Sequence, residues 1–162
     1  MSIDLIKAVH AELMHGCYDE RRWEIGERPG TFKKHDYEVG DGIGVNSEEV
    51  ESEIQELLGE LQNIPSEKTL TAAAYFHLCF ESIHPFADGN GRVGRTLMNY
   101  YLMINDYPPT IIYDDDKQTY YMALAVFDKT EQISGFEEFL KKQTVKTWTR
   151  KTKHSVSLSM FL

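Results

Sequence analysis

The sequence predicts an all-α domain, a helical bundle that carries one short β-hairpin. Apolar residues recur at helical spacing in six stretches of the 162-residue chain. The one long interruption is Glu24 to Val45, where Gly26, Pro29, Gly30, Gly40, Gly42 and Gly44 break any helix. A third observation is a glycine-rich stretch between two of the apolar segments, His84-Pro85-Phe86-Ala87-Asp88-Gly89-Asn90-Gly91-Arg92-Val93-Gly94-Arg95. It sets a base, a carboxylate, a tight turn and two guanidiniums in one register.

The first helix is expected from Ser2, a ready N-cap, to about Met14, with Leu5, Ile6, Val9 and Leu13 on its apolar face and Gly16 after its end. His10 and His15 read as surface or structural residues. Pro29 to Val45 reads as a β-hairpin flap, with β-branched and aromatic residues over Thr31 to Val39. A helix restarts over Asn46 to Leu61, where Asn46 and Glu49 have capping-box spacing and Val50, Ile54, Leu57, Leu58 and Leu61 form the stripe. The acidic opposite face is a solvated one. Asn63-Ile64-Pro65-Ser66 turns the chain into a helix over Ser66 to Ile83, which carries Ala72, Phe76, Cys79, Phe80 and Ile83 at helical spacing. His77 reads as a hydrogen-bonded structural histidine.

Pro85 disfavours α geometry at the residue before it, so this helix stops at Ile83 and leaves His84 extended at its end. Phe86 is the apolar anchor of the loop. Gly89, Asn90 and Gly91 take positive φ cheaply, so their N–H groups can form an anion-binding nest. A helix from Gly91 to Ile104, apolar on several faces, reads as the central buried element, and its N-terminus adds to the pull on a phosphate. Asp88 sits where a carboxylate can hold Mg²⁺ beside that phosphate. Arg92 and Arg95, three apart, share a face suited to phosphate oxygens. Beyond the break at Asn105 to Pro109, Asp114, Asp115 and Asp116 cap a helix over Lys117 to Asp128. The last helix is expected over Gly135 to Trp148. The expected organisation is one domain over residues 1–148 and a frayed tail over 149–162, basic and then apolar, with no acidic residue after Glu138.

Composition narrows the function classes. A net charge of −9 argues against a general nucleic-acid binder but leaves room for a local phosphate site built from arginines. Cys17 and Cys79 are too few for a disulfide framework, and Cys79 reads as a small core residue. No apolar run is long enough to span a bilayer. Asp4 and Lys7 interrupt any leader-like apolar segment, so a cytoplasmic protein is expected. Base, metal carboxylate and phosphate cradle together specify attack by a hydroxyl on a nucleotide phosphate, with His84 as base. No serine or cysteine pairs with His84 in the stretch, so no covalent enzyme intermediate is expected.

The stretch from His84 to Arg95 resembles the signature of the Fic family, His-x-Phe-x-(Asp or Glu)-Gly-Asn-Gly-Arg-x-x-Arg, at every defined position. Gly30-Thr31-Phe32-Lys33 resembles that family's Gly-x-aromatic-Arg pattern, with Lys in place of Arg. Tyr107-Pro108-Pro109 and Tyr120-Tyr121-Met122-Ala123-Leu124 resemble its C-terminal part. The resemblance implies a helical bundle with the hairpin flap over the active site. It also implies transfer of AMP from ATP to a Ser, Thr or Tyr hydroxyl of a target protein, with release of pyrophosphate. In that reading His84 activates the hydroxyl and Asp88 holds Mg²⁺. Gly89, Asn90 and Gly91 form the anion hole, and Arg92 and Arg95 hold the β/γ end. The target segment adds to the flap as a strand.

Two alternatives stay open: transfer of another nucleotide-derived or phosphoryl group, and a silent nucleotide-binding or interaction module. Gly89 and Gly91 argue against the phosphoryl-transferring Doc branch, which replaces those glycines. The family's self-inhibitory pattern, Ser or Thr, three residues, Glu, then Gly or Asn, is not found at Ser47, Ser52 or Ser134. That absence implies an unrestrained chain, or one held in check by a separate antitoxin-like protein.

Overall fold

The computed structural model describes residues 1–39 and 42–159, with side chains over 1–38 and 44–149. Seven α-helices form the bundle among the described residues: α1 (Ile3–Leu13), α2 (Glu20–Glu24), α3 (Val50–Gln62), α4 (Thr69–Ile83), α5 (Asn90–Ile104), α6 (Lys117–Thr130) and α7 (Ser134–Ser159). Two strands, β1 (Glu38–Val39) and β2 (Gly42–Ile43), pair antiparallel with Glu38 opposite Ile43.

The organising element is α4. Ala72, Phe76, Phe80 and Ile83 follow one another at three- and four-residue spacing along one face. They pack with Ile6 of α1, Val50, Ile54 and Leu57 of α3, and Val93 and Leu97 of α5. The opposite face, with Leu70, Ala73, Ala74 and Leu78, meets Met98 and Leu102 of α5, Tyr120 and Phe127 of α6, and Phe136 and Leu140 of α7. The core thus has two halves with α4 between them. The sequence had pointed to α5 as the central helix. Met103 and Ile104 instead lie half exposed at its end, and Arg92 and Thr96 face solvent, so α5 is amphipathic.

Several boundaries differ from those expected, each for a local reason. α3 begins one turn later than Asn46. The Asn46 amide donates to the Glu49 carboxylate, and the Glu49 N–H donates to the Asn46 carbonyl, closing a turn instead of a capping box. α2, which the sequence reading passed over, is nucleated by Asp19, whose carboxylate accepts from the Arg22 N–H. Asp116 precedes α6 but makes no side-chain cap hydrogen bond; it pairs with Lys146 of α7. α7 continues past Trp148 to Ser159, because no glycine or proline follows to stop it. The tail expected to fray is therefore helical over 149–159, and 160–162 lie outside the described residues.

The strand segment expected over Thr31 to Val39 is mostly irregular. Its N–H groups go to tertiary partners rather than to a ladder: Lys33 to the Pro85 carbonyl, and Lys34 to the Glu27 carboxylate. Two-residue strands remain, and Gly40 lies outside the described residues.

Gly94 shows how tightly α4 and α5 meet. A Cβ there would lie 2.7 Å from Glu81 Oε1 and 3.1 Å from both His77 Nδ1 and Phe80 Cδ1. Gly94→Ala is expected to destabilise the fold by about 1–3 kcal/mol through overpacking, despite alanine's better helix propensity. Urea denaturation of the variant and the wild type measures the difference.

Candidate active site

α4 delivers His84 to the loop, but not in the extended geometry expected. His84 is left-handed, with φ 52° and ψ 61°, and its N–H donates to the Phe80 carbonyl at 3.1 Å. Pro85 removes the right-handed option, and a left-handed residue closes the helix end instead. For a residue with a Cβ this conformation costs roughly 1–2 kcal/mol, which the packing of the loop must offset.

That packing is supplied by Phe86 and Asn90. Phe86 is fully buried, stacked on the His10 ring with centroids 3.7 Å apart and tilted against Phe32 and Phe80. The Phe86 N–H donates to Asn90 Oδ1 at 2.9 Å, and Asn90 Nδ2 donates back to the Phe86 carbonyl at 2.8 Å. The Asn90 side chain therefore clamps the loop shut. Only Gly89 of the expected nest has positive φ, at 83°; Asn90 and Gly91 already belong to α5. A Cβ on Gly89 would lie 2.5 Å from Met14 Sδ, so only glycine fits between α1 and the loop. The Gly89 N–H donates to Asp88 Oδ1 at 2.6 Å. The anion-binding capacity thus passes to the first turn of α5, whose N–H groups have no partner within the helix.

His10 is a site residue that sequence reasoning left as surface or structural. It is fully buried, and the Gly30 N–H donates to its Nδ1 at 2.7 Å. Nε2 therefore carries the proton and donates to the Asp88 carbonyl at 3.1 Å. One side chain of α1 pins both the Gly30 turn and the functional loop. Its spacing could have shown this, because Ile6, His10 and Met14 fall on one helical face and all three are fully buried.

Charges gather around His84 and Asp88. Burial pushes the His84 pKa below its usual value; the Glu81 carbonyl opposes this, Lys33 adds to it, and Asp88 opposes it. Lys33, the residue standing in the arginine position of the family pattern, is buried with its Nζ unpartnered. Asp88 keeps Oδ2 free of the loop, and Arg22 of α2 approaches it at 3.4 Å, a partly exposed pair of small energetic weight. The two arginines of the stretch differ in exposure. Arg92 is exposed, whereas Arg95 is half-buried with its guanidinium 5.9 Å from the centre of the Tyr120 ring.

The model of the Fic/DOC family matches residues 1–102, well over half of the chain. The chain belongs to the Fic/DOC family. Named relatives include a protein adenylyltransferase Fic of Drosophila persimilis, 44% identical over 75 residues. A protein of the same name in Aedes aegypti is 43% identical over 75 residues. Each match spans 46% of this chain and only 15% of the insect protein. Among solved structures, a Fic family protein from Desulfovibrio desulfuricans G20 matches with a TM-score of 0.73 and 29% identity, over 93% of this chain and 48% of that one. Fic-1 from C. elegans matches with a TM-score of 0.76 over 97% of this chain and 44% of that one; at 22% identity it shows the fold alone. The bundle is a Fic fold.

The His10 geometry has a pH consequence. Burial depresses the His10 pKa in the folded state, so its contribution to stability is full above about 6.5 and is lost as pH falls below it. Protonation would also remove the acceptor of the Gly30 N–H. His10→Leu is expected to cost about 1–3 kcal/mol at pH 7.5 by orphaning that donor. It should also flatten the loss of stability between pH 7 and pH 5, since that fall amounts to at most about 1.4 kcal/mol per pH unit per group. Urea denaturation across this pH range gives both numbers.

Proposed function

We propose that this chain is the catalytic core of a protein adenylyltransferase, moving AMP from ATP to a Ser, Thr or Tyr hydroxyl of a target protein with release of pyrophosphate. One observation carries the reading. His84, Asp88 and the N-terminus of a fifteen-residue helix converge on a loop closed by Phe86 and Asn90. The name shared by the insect relatives supports the same chemistry.

In this reading His84 is the general base. Its depressed pKa keeps the imidazole neutral at pH 7, ready to take the proton of the attacking hydroxyl. The hydroxyl oxygen bonds to the α-phosphorus, and the bond from that phosphorus to the pyrophosphate oxygen breaks. First-turn N–H groups of Gly91 and Arg92 face the phosphate charge, and the Arg92 and Arg95 side chains hold the β/γ end. Asp88 fits a hard cation. Its Oδ1 is fixed by the Gly89 N–H, its Oδ2 faces Arg22 at 3.4 Å and the side chain is partly exposed, a single carboxylate of the kind that holds Mg²⁺ together with substrate phosphates. When bound, Mg²⁺ would neutralise phosphate charge. Residues near β1 and β2 would receive the target as an added strand.

Incubating the chain with Mg²⁺, ATP and a protein extract should add the mass of AMP to a hydroxyl residue, read by mass spectrometry. His84→Ala should lower the rate about 10²–10⁴-fold while nucleotide binding persists. Addition of phosphate alone would assign the chain to phosphoryl transfer instead. Asp88→Ala should lose metal-dependent activity and regain part of it only at much higher Mg²⁺. A wild-type rate in chelator would remove Asp88 and the metal from the reaction.

A further inference from the structure

Gly91 lies inside α5 without positive φ, so conformational freedom does not explain a glycine there. Space does. Side chains on a helix lean back towards its N-terminus, so Arg95 covers the turn that carries residue 91. A Cβ on Gly91 would lie 3.0 Å from Arg95 Nη1 and 3.8 Å from both Cζ and Nη2. The bare Cα therefore lets the guanidinium settle on the first turn of α5, where the backbone N–H groups have no partner within the helix. Tyr120 of α6 supports the same head group. Its ring centre lies 5.9 Å from Arg95 Cζ, within cation–π range. The ring is itself held from two other helices. Its hydroxyl lies 2.9 Å from Nε2 of His77 on α4, which is fully buried and stacked on Phe136 of α7. Phe136 and Phe139 also pack against the Tyr120 ring. Burial pushes the His77 pKa down to about 3, so no second positive charge stands behind the ring.

We propose that Gly91 and Tyr120 are positioning residues that hold the Arg95 guanidinium against the N-terminus of α5, so that the cation and the backbone N–H groups meet phosphate together. The part given to Arg95, holding the β/γ end of ATP, rests on the adenylyl-transfer reading above. A long arginine side chain loses much rotamer freedom when a ligand fixes it. Where the protein has already fixed it, that loss no longer weighs against binding. Tyr120 is 3% exposed, so it acts through Arg95 and not on the nucleotide. AMP lacks the β/γ end, so the support given to Arg95 strengthens binding of ATP and not of AMP.

The test has two arms on the whole chain. The first needs no nucleotide. The Arg95 Nε–H signal in NMR, assigned by its loss in Arg95→Ala, should keep its position in Tyr120→Phe and move in Tyr120→Leu and in Gly91→Ala. A signal unmoved in both of the latter overturns the packing of the head group. The second arm is calorimetry. Tyr120→Leu should weaken ATP binding about 3- to 10-fold, the size of a lost cation–π contact, and leave AMP binding within about twofold. Tyr120→Phe keeps the ring and should bind ATP as the wild type does. Gly91→Ala keeps its N–H and should weaken ATP binding by a smaller factor than Tyr120→Leu. In an Arg95→Ala background neither substitution should weaken it further. Equal losses for ATP and AMP, or equal losses with and without Arg95, make Tyr120 a core residue only and overturn the proposal. If urea denaturation shows that Tyr120→Leu does not fold, Gly91→Ala in the two backgrounds decides the same point. A wild type that binds ATP no more tightly than AMP would overturn the β/γ role of Arg95 in the adenylyl-transfer reading, while the NMR comparison still decides whether Gly91 and Tyr120 hold the guanidinium.

Discussion

Burial of Phe86 is the constraint on which the site depends. Its ring is held by the stacked imidazole of His10, by Phe80 from α4 and by Phe32 from the segment after the Gly30 turn. An aromatic ring buried on all sides is worth several kcal/mol, enough to offset the left-handed strain at His84 two residues earlier. With Phe86 fixed, the reciprocal hydrogen bonds to Asn90 set the first turn of α5 at a defined distance from His84. His84, Asp88 and the helix N-terminus are thereby held in place by Phe86 and its neighbours.

A second layer of constraint comes from α1. His10 accepts from Gly30 and donates to the Asp88 carbonyl, so one imidazole couples the N-terminal helix, the segment leading to β1 and the loop. Met14, one turn later, fills the space against Gly89. Displacing α1 would loosen the loop from two directions at once. Residues before the motif are therefore part of the site in a mechanical sense, although none of them belongs to the signature.

The acidic balance of the chain does not extend to the loop. The chain carries a net charge of −9, and α3 exposes a run of glutamates away from the loop. Around the loop the balance is local: Lys33 beside His84, Arg22 beside Asp88, and Arg95 above Tyr120. Two of these cations, Lys33 and Arg22, come from segments where the sequence shows no periodic pattern, so their approach to the motif is a tertiary fact.

Every helix but α2, and the identity of the loop, were legible in the sequence, because both are local. Helical spacing marks α1, α3, α4 and α5 wherever one face is apolar, and the register from His84 to Arg95 needs no tertiary information to be read. What depended on distant partners was not legible. His84 takes a left-handed turn because the Phe80 carbonyl and Pro85 leave it no other closed geometry. Asn90 turns its side chain back onto the Phe86 backbone, a partner four residues away that the motif does not announce. Thr31 to Tyr37 has strand-like residues, yet its N–H groups find acceptors in Pro85 and Glu27, so no ladder forms there. His10 looks like an ordinary helical position until the bundle closes, whereas His77 is the hydrogen-bonded structural histidine its place in an apolar helix suggests. The sequence by itself determined which residues could do chemistry, since type and spacing are properties of the chain. Only the tertiary structure decided which polar groups are buried and against what, since burial is set by whichever element packs opposite.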